Sequence, residues 1–362
     1  MITKIKIDGF KSIKHLDVDL KPINILIGGN GVGKSNFISI FSLLRNIYNQ
    51  NLQKYIAFKG GADSFLHFGK KNTSEIKLTI FFGFVNEPTN QFVVTLGEVQ
   101  NNLIIKSIQT AYYSYGKWHF SEYESNKLES QFSQINLGQA FWVNARLVEF
   151  DVYHFHDTGD KSPIKATADI SNNRQLRRDG ANLASFLYYL KVKHPKHFKR
   201  IEMSVQSIAP FFDQFVLEPS KLNETKINLE WREKGFPDSY FNAYHLSDGT
   251  LRFICLATLL MQPEPPKTII IDEPELGLHP VAINMLAALV RKASESTQVI
   301  LSTQSINLID NFSPEDIVVT DRDNLGTVFT RLNSEDLKSW LDAYTLGDLW
   351  GKNIIGAQPY SV

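Results

Sequence analysis

The residues best suited to chemistry are Gly28-Gly29-Asn30-Gly31-Val32-Gly33-Lys34-Ser35, which read G-x-x-x-x-G-K-S. Glycines let backbone N–H groups curl around a phosphate with no Cβ in the way. Lys34 is expected to reach the β- and γ-phosphates of ATP, and Ser35 to ligate Mg²⁺. Ile23 to Ile27 is a short apolar run suited to a buried strand, and the residues from Asn36 onward have helical spacing. The octapeptide therefore joins a strand to a helix N-terminus, whose partial positive charge also favours an anion. A chance glycine-rich turn would lack both flanks.

Two acids form the next candidate site. Lys267 to Ile271 is an apolar strand that ends in Asp272 and Glu273. Asp272 suits a Mg²⁺ ligand at the sheet edge, and Glu273 suits a base that orients or deprotonates water. The bland alternative is that both acids cap the turn before Pro274. Leu246-Ser247-Asp248-Gly249-Thr250 opens a helix, with Ser247 at the N-cap and free N–H groups able to bind an anion. Alone, it would read as an ordinary capped helix.

The elements that position these residues can be read around them. Residues 2–9 and 15–20 alternate as strands about a bend at 10–14. A helix covers 35–50. From 75 to 120, β-branched and aromatic runs with polar turns predict an antiparallel meander. Residues 121–145 give no clear pattern, and 148–155 reads as a strand. Residues 181–217 read as helix broken at Pro195 and Pro210, and 227–231 as a strand. Helices follow at 246–261, 281–294 and 334–344, with strands at 268–271, 298–302, 317–320 and 327–331. The tail reads as polar turns.

Composition sets bounds. The 362 residues carry 38 Lys+Arg against 38 Asp+Glu, so no global field draws the chain to a polyanion. The single cysteine, Cys255, excludes an internal disulfide; it fits a reducing cytoplasm and reads as a packed core thiol. No run approaches the ~18 apolar residues of a membrane span, and the N-terminus has no signal-peptide pattern. Locally, 161–200 holds ten Lys/Arg against Asp169 and Asp179, an excess of eight. That stretch fits a phosphate-backbone footprint or a solvated face equally.

The order of motifs resembles the ABC-type ATPases, in the branch of the SMC, RecF and OLD proteins. The pieces are the strand and bend from Ile5 to Ile13, GGNGVGKS, LSDGT, 25 residues from Ser247 to Asp272, IIIDEPELGLHP and LSTQS. The chain looks like the stand-alone bacterial ATPases of that branch, and a transporter motor fits these pieces less well. The resemblance covers roughly 1–110 and 245–320. It implies a P-loop ABC-type ATPase head of α/β class: a mixed sheet flanked by helices, with an antiparallel β-meander and a helical insertion. Expected divisions are 1–157 (phosphate-loop lobe with meander), 158–245 (mostly helical basic insertion), 246–333 (signature and acidic-strand lobe) and 334–362 (helix and tail).

The resemblance also implies roles. Gly28 to Ser35 and Asn36 would hold ATP, with Ser35 and Asp272 on Mg²⁺. Lys34, Glu273 and Gln304 would be catalytic. Ser247 and Gly249 would reach the γ-phosphate bound by a second copy, giving a homodimer on ATP binding. Leu276 to His279 would lie at that dimer interface. DNA, bound without sequence preference, and a separate effector protein are the implied partners. Gln304 stands where relatives carry a γ-phosphate-sensing histidine; an amide hydrogen-bonds but does not titrate. Asp248 replaces a usual glycine. His154 to Asp157 is a candidate for the loop joining the lobes, or simply a packed turn. Phe10 and Lys11 would lie near the adenine, or only shape the hairpin bend.

Overall fold

The computed structural model describes residues 1–84, 87–236 and 238–357. The chain divides into two compact units: one comprises Met1–Val152, Lys267–Ile270 and Thr297–Val362, the other Tyr153–Pro266 and Ile271–Ser296.

In chain order the first unit opens with β1 (Ile2–Phe10), β2 (Ile13–Asp19), β3 (Ile23–Ile27), α1 (Lys34–Tyr48) and α2 (Leu52–Phe58). It continues with β4 (Glu75–Phe84), β5 (Glu87–Val99), β6 (Asn102–Ser114), β7 (Lys117–Lys127) and α3 (Gly138–Leu147). The short β8 (Val152–Tyr153) ends this run at the unit boundary.

In the second unit, β9 (Ala168–Asp169) precedes α4 (Leu183–Lys193) and α5 (Pro195–Ile208). Then come β10 (Phe212–Val216), β11 (Pro219–Ser220), β12 (Asn223–Ile227), β13 (Glu230–Glu233), β14 (Tyr240–Asn242) and α6 (Asp248–Met261). β15 (Thr268–Asp272) begins in the first unit and ends in the second, and α7 (Pro280–Ala293) lies wholly in the second. The first unit resumes with β16 (Gln298–Thr303), α8 (Ile306–Ile309), β17 (Ile317–Asp323), β18 (Gly326–Arg331), α9 (Ser334–Leu341) and α10 (Leu346–Gly351).

Two six-stranded sheets organise the first unit. One is the antiparallel meander, ordered β2-β1-β4-β5-β6-β7. β4 shows why these runs fold as strands: Ile76, Leu78, Ile80 and Phe82 are buried while Glu75 and Lys77 are exposed. The other is ordered β18-β17-β3-β16-β15-β8. It is mixed, because β3 runs parallel to β16 and β17, whereas β18 is antiparallel. β3 has neighbours on both edges, so all five of its residues are buried, matching its unbroken apolar run. α1 turns Phe37, Phe41 and Leu44 into a core that includes Phe150 and Ile270. Phe37, Phe41 and Phe150 meet edge-on, with centroids 5.9 and 5.4 Å apart. Each such ring buried contributes about 2–3 kcal/mol.

In the second unit, α6 is the inner helix, packed by α5 and α7, with Leu251 and Phe253 to Leu260 buried. Cys255 lies here, fully buried, and burial pushes its thiol pKa up, as a core thiol requires. Two three-stranded sheets, β10-β13-β14 and β11-β12-β9, complete the unit. Trp231 stacks on Phe212 at 6.0 Å.

The structure departs from the sequence reading in several elements. α3 occupies a stretch that gave no pattern, and only Val152–Tyr153 is strand within 148–155. Ala140, Val143, Asn144 and Leu147 do lie on one helical face, but its polar member hid the period. Asn144 is buried because its amide donates to Phe132 O and Ile135 O at 2.9 and 3.0 Å. Residues 212–216 form β10 rather than helix, the usual ambiguity of a short apolar run. The strand expected at 227–231 is divided between β12 and β13. The tail contains α10, opened by a reciprocal cap between Thr345 and Asp348.

Candidate functional site

The phosphate-loop sequence sits where β3 leaves the mixed sheet. Ile27 is level with Thr303 on β16 and with Val319 on β17. The chain turns at Gly28, Gly31 and Gly33, all with positive φ, and enters α1 at Lys34. A Cβ on Gly28 would lie 2.3 Å from Thr320 O, and one on Gly33 would lie 2.3 Å from Thr327 Oγ1. The loop backbone is thus wedged against β17 and β18, and glycine is required at both places. Lys34 is buried; its ammonium donates to Gly28 O at 2.6 Å and Gly29 O at 3.0 Å. Ser35 is exposed at the helix start. Gln304 follows Thr303, so it leaves the sheet at the same edge as the loop.

Side chains that sequence reading passed over brace this loop. Thr327 Oγ1 donates to Val32 O at 2.7 Å and lies 2.7 Å from Ser12 Oγ, which also accepts from Asn36 Nδ2 at 2.7 Å. The Gly29 N–H donates to Ala357 O at 2.8 Å, and the Ala357 N–H to Asp321 Oδ2 at 3.2 Å. Thr327, Asp321 and Ala357 lie outside every motif.

The bend before the loop places Phe10 in the core and Lys11 against α1. Phe10 is fully buried in the core, so its ring cannot stack on a base. Lys11 sits at φ 48, its ammonium 2.9 Å from Ser39 Oγ and over the rings of Phe10 and Phe65. Burial lowers its pKa to about 8, with the charge of Lys59 adding to the shift. A lysine whose folded pKa lies below its unfolded value penalises the fold at pH below about 8. That penalty is relieved as pH rises from about 8 towards 10.5. Lys11→Met should therefore gain most over the parent near pH 7, on the order of 2 kcal/mol after solvent screening. The difference should shrink by pH 10 in paired urea melts. A gap independent of pH would mean that Lys11 is not held this way.

In the second unit β15 ends at Asp272, and Glu273 follows it. Glu273 has φ 46, a strained value for a residue with a Cβ and one commonly stored at working sites. The Asp272 carbonyl accepts from His156 Nε2 at 2.9 Å. Ser247 caps α6 as expected: its Oγ accepts from the Thr250 N–H at 3.2 Å and pairs with Thr250 Oγ1 at 2.8 Å. Ser247 and Asp248 are exposed, so this helix start faces solvent. Gly249 is required by contact, because a Cβ there would lie 2.4 Å from Gly277 O. His154 is exposed, while its backbone N–H bonds Arg178 O at 2.9 Å.

The basic stretch also lies in this unit. Arg174, Arg177, Arg178, Lys191, Lys193, Lys196, Lys199 and Arg200 are all exposed. Both acids in it have cationic neighbours: Asp169 lies 3.4 Å from Lys226, and Asp179 3.4 Å from Arg177.

Each unit therefore assembles part of what the sequence singled out. The first brings Gly28 to Asn36 and Gln304 to one sheet edge; the second holds Asp272, Glu273, Ser247 and Gly249. Ser35 and Asp272 carry oxygen donors of the hard kind that Mg²⁺ takes, and the glycine-lined, lysine-bearing loop suits a polyphosphate. No helix of the described residues is long and apolar enough to cross a membrane.

Comparison with known proteins gives three results. The family model described as "AAA domain, putative AbiEii toxin, Type IV TA system" matches residues 23–310. The crystal structure of an SMC head bound to the C-terminal winged-helix domain of ScpA superposes with a TM-score of 0.60 at 15% identity. It covers 93% of this chain and 99% of the other. An SMC head with an extended coiled coil, bound to the C-terminal domain of ScpA derived from Pyrococcus furiosus, gives 0.56 at 13% identity, covering 94% and 98%. The fold is thus that of an SMC-type ATPase head. In sequence, the energy-coupling factor transporter ATP-binding protein EcfA2 of Staphylococcus epidermidis is 24% identical over 164 residues, 40% of this chain and 55% of that protein. The chain spans about half the length of the curated relatives it matches.

Proposed function

Because the chain belongs to the AAA-domain family whose model spans residues 23–310, we propose that it is an ATPase whose two copies close on ATP and open on hydrolysis. The observation that carries this reading is the phosphate loop itself: a strand-to-helix turn with a buried lysine, Gln304 at the same sheet edge, and an SMC-head fold around it.

The residues divide the work. Loop N–H groups from Asn30 to Ser35, with the Lys34 ammonium, bind and orient the phosphates. Ser35 Oγ and the Asp272 carboxylate are the oxygens that would hold Mg²⁺, and the ion would supply positive charge against the phosphates. The Glu273 carboxylate takes a proton from water. Gln304 donates its amide hydrogens and exchanges no proton. Ser247 and Gly249, at an exposed helix start, offer hydroxyl and N–H donors to the nucleotide of the second copy. The closed dimer and the separated copies then act on DNA or on an effector protein. The AbiEii description favours phage defence over DNA maintenance as the setting.

A second reading has its own support. Gln304 cannot titrate, and this favours a slow ATPase that holds ATP and gates an effector. Steady-state turnover with Mg²⁺, with and without duplex DNA, separates the two. Turnover stuck below roughly 0.01 s⁻¹, far under the usual enzyme range, leaves the slow gate and removes the cycle of closing and opening. The DNA assignment has a separate check. Arg174, Arg177 and Arg178 changed together to Glu should weaken duplex binding and flatten its salt slope by up to about 2.7. Binding that is unchanged takes DNA off the list of partners.

A further inference from the structure

We infer that Arg252 is a positioning residue. It fixes the turn after Glu273, and the chain segment that holds Asp272, to the helix opened by Ser247, so that these parts move as one body. The inference rests on the ATPase reading for its consequence, but not for its geometry.

Arg252 lies on α6, five residues beyond Ser247. Its Nη1 donates to Leu276 O at 2.5 Å, and its Nη2 donates to His156 O at 2.8 Å. The two carbonyls come from segments 24 and 96 residues away in sequence. His156 carries the link onward. Its Nε2 lies 2.9 Å from the Asp272 carbonyl, which can only accept, so Nε2 bears the proton. One guanidinium thus ties α6 to the turn after the acids and, through His156, to the end of the strand that presents them.

A second contact points the same way. Gly249 lies so close to the turn that a Cβ would sit 2.4 Å from Gly277 O, and a Cβ on Gly277 would sit 2.8 Å from Arg252 Nη1. The void beside Arg252, His156 and Asp272 is only ≈ 10 Å³, room for no more than a single water. Arg252 Nε is buried without a partner, so the side chain is held for the reach of its fork and not for full satisfaction of its donors. Only a planar fork meets two carbonyls in two directions from one buried stem. A lysine offers one point charge.

The consequence concerns coupling. When the exposed Ser247 turn engages a phosphate, the load passes through Arg252 to Leu276 and through His156 to Asp272. Glu273 lies between these two anchors in the chain. Loosening the clamp should leave nucleotide affinity intact and slow the chemical step.

The test uses the full chain with Arg252→Lys and Arg252→Gln. Backbone hydrogen exchange reads the geometry without hydrolysis. The Leu276 and Leu278 amides, bonded to Glu273 O and Glu275 O at 3.3 and 2.9 Å, should exchange at least tenfold faster in both variants. In the same variants kcat should fall at least tenfold with KM within twofold. Lysine should fail to rescue, because charge without the fork is not enough. Should the Gln variant not fold, the Lys variant carries the test alone. Unchanged exchange at 276 and 278 overturns the inference, as does faster exchange with unchanged kcat. If the parent itself shows no turnover, the ATPase reading falls and the positioning role falls with it. The exchange data would still report whether the clamp exists, which keeps the two failures distinguishable.

Discussion

Glu273→Gln is expected to lower ATP turnover by about 10²- to 10⁴-fold, the usual worth of a positioned general base, while leaving ATP bound. The substitution keeps the side chain's length and its hydrogen-bonding oxygen, so the strained φ of 46 at this position gains no new burden. What disappears is the ability to accept a proton. With hydrolysis blocked, the closed state should accumulate. Sedimentation should give a monomer without nucleotide and a dimer with ATP and Mg²⁺. The parent chain should give a smaller dimer fraction under the same conditions, because it resets itself. A mass that does not respond to ATP would remove the ATP-dependent dimer and leave a constitutive oligomer or a site that works within one chain. Turnover undiminished by the substitution would move the base elsewhere.

Ser247→Arg in the Glu273→Gln background is expected to abolish that dimer. Ser247 is exposed, its Oγ satisfies the Thr250 N–H, and the first turn of α6 directs its remaining N–H groups outward. Losing the cap costs about 1 kcal/mol of local stability, too little to unfold a helix buried along nearly its whole length. Arginine also adds bulk where the second copy's nucleotide would approach. Affinity for ATP in the single chain should stay within about threefold, since Ser247 does not belong to the loop that holds that chain's own nucleotide. Loss of the dimer with ATP binding retained marks Ser247 as a ligand in trans. Loss of both would mean that Ser247 serves its own chain, and a dimer that survives would take Ser247 out of the interface.

How far the site was legible depends on the range of the forces involved. The phosphate loop needs only local rules: a five-residue apolar strand, glycines where φ is positive, and a helix that starts at Lys34. The Ser247 cap is equally local, since its acceptor and donor are three residues apart. The meander was legible because its runs are rich in β-branched and aromatic residues between polar turns, and β4 alternates against the core. α3 was not, because its face includes Asn144, whose burial depends on carbonyls of Phe132 and Ile135 that no pattern announces. Phe10 illustrates the converse. The resemblance put it near the adenine, or only in the hairpin bend, and packing against Phe65 and the α1 core buries it entirely.

The sequence by itself determined the class of chemistry. A glycine-rich strand-to-helix turn and an acid-ended strand are specified by residue type at short spacing, where backbone geometry leaves few alternatives. Tertiary structure alone decided how those pieces are held. Thr327 and Ser12 brace the loop from 295 and 24 residues away, and Arg252 reaches carbonyls 24 and 96 residues away. Their partners are largely backbone oxygens, which every residue carries. Side-chain identity therefore holds no record of which oxygen will be met, and only the folded path of the chain selects it.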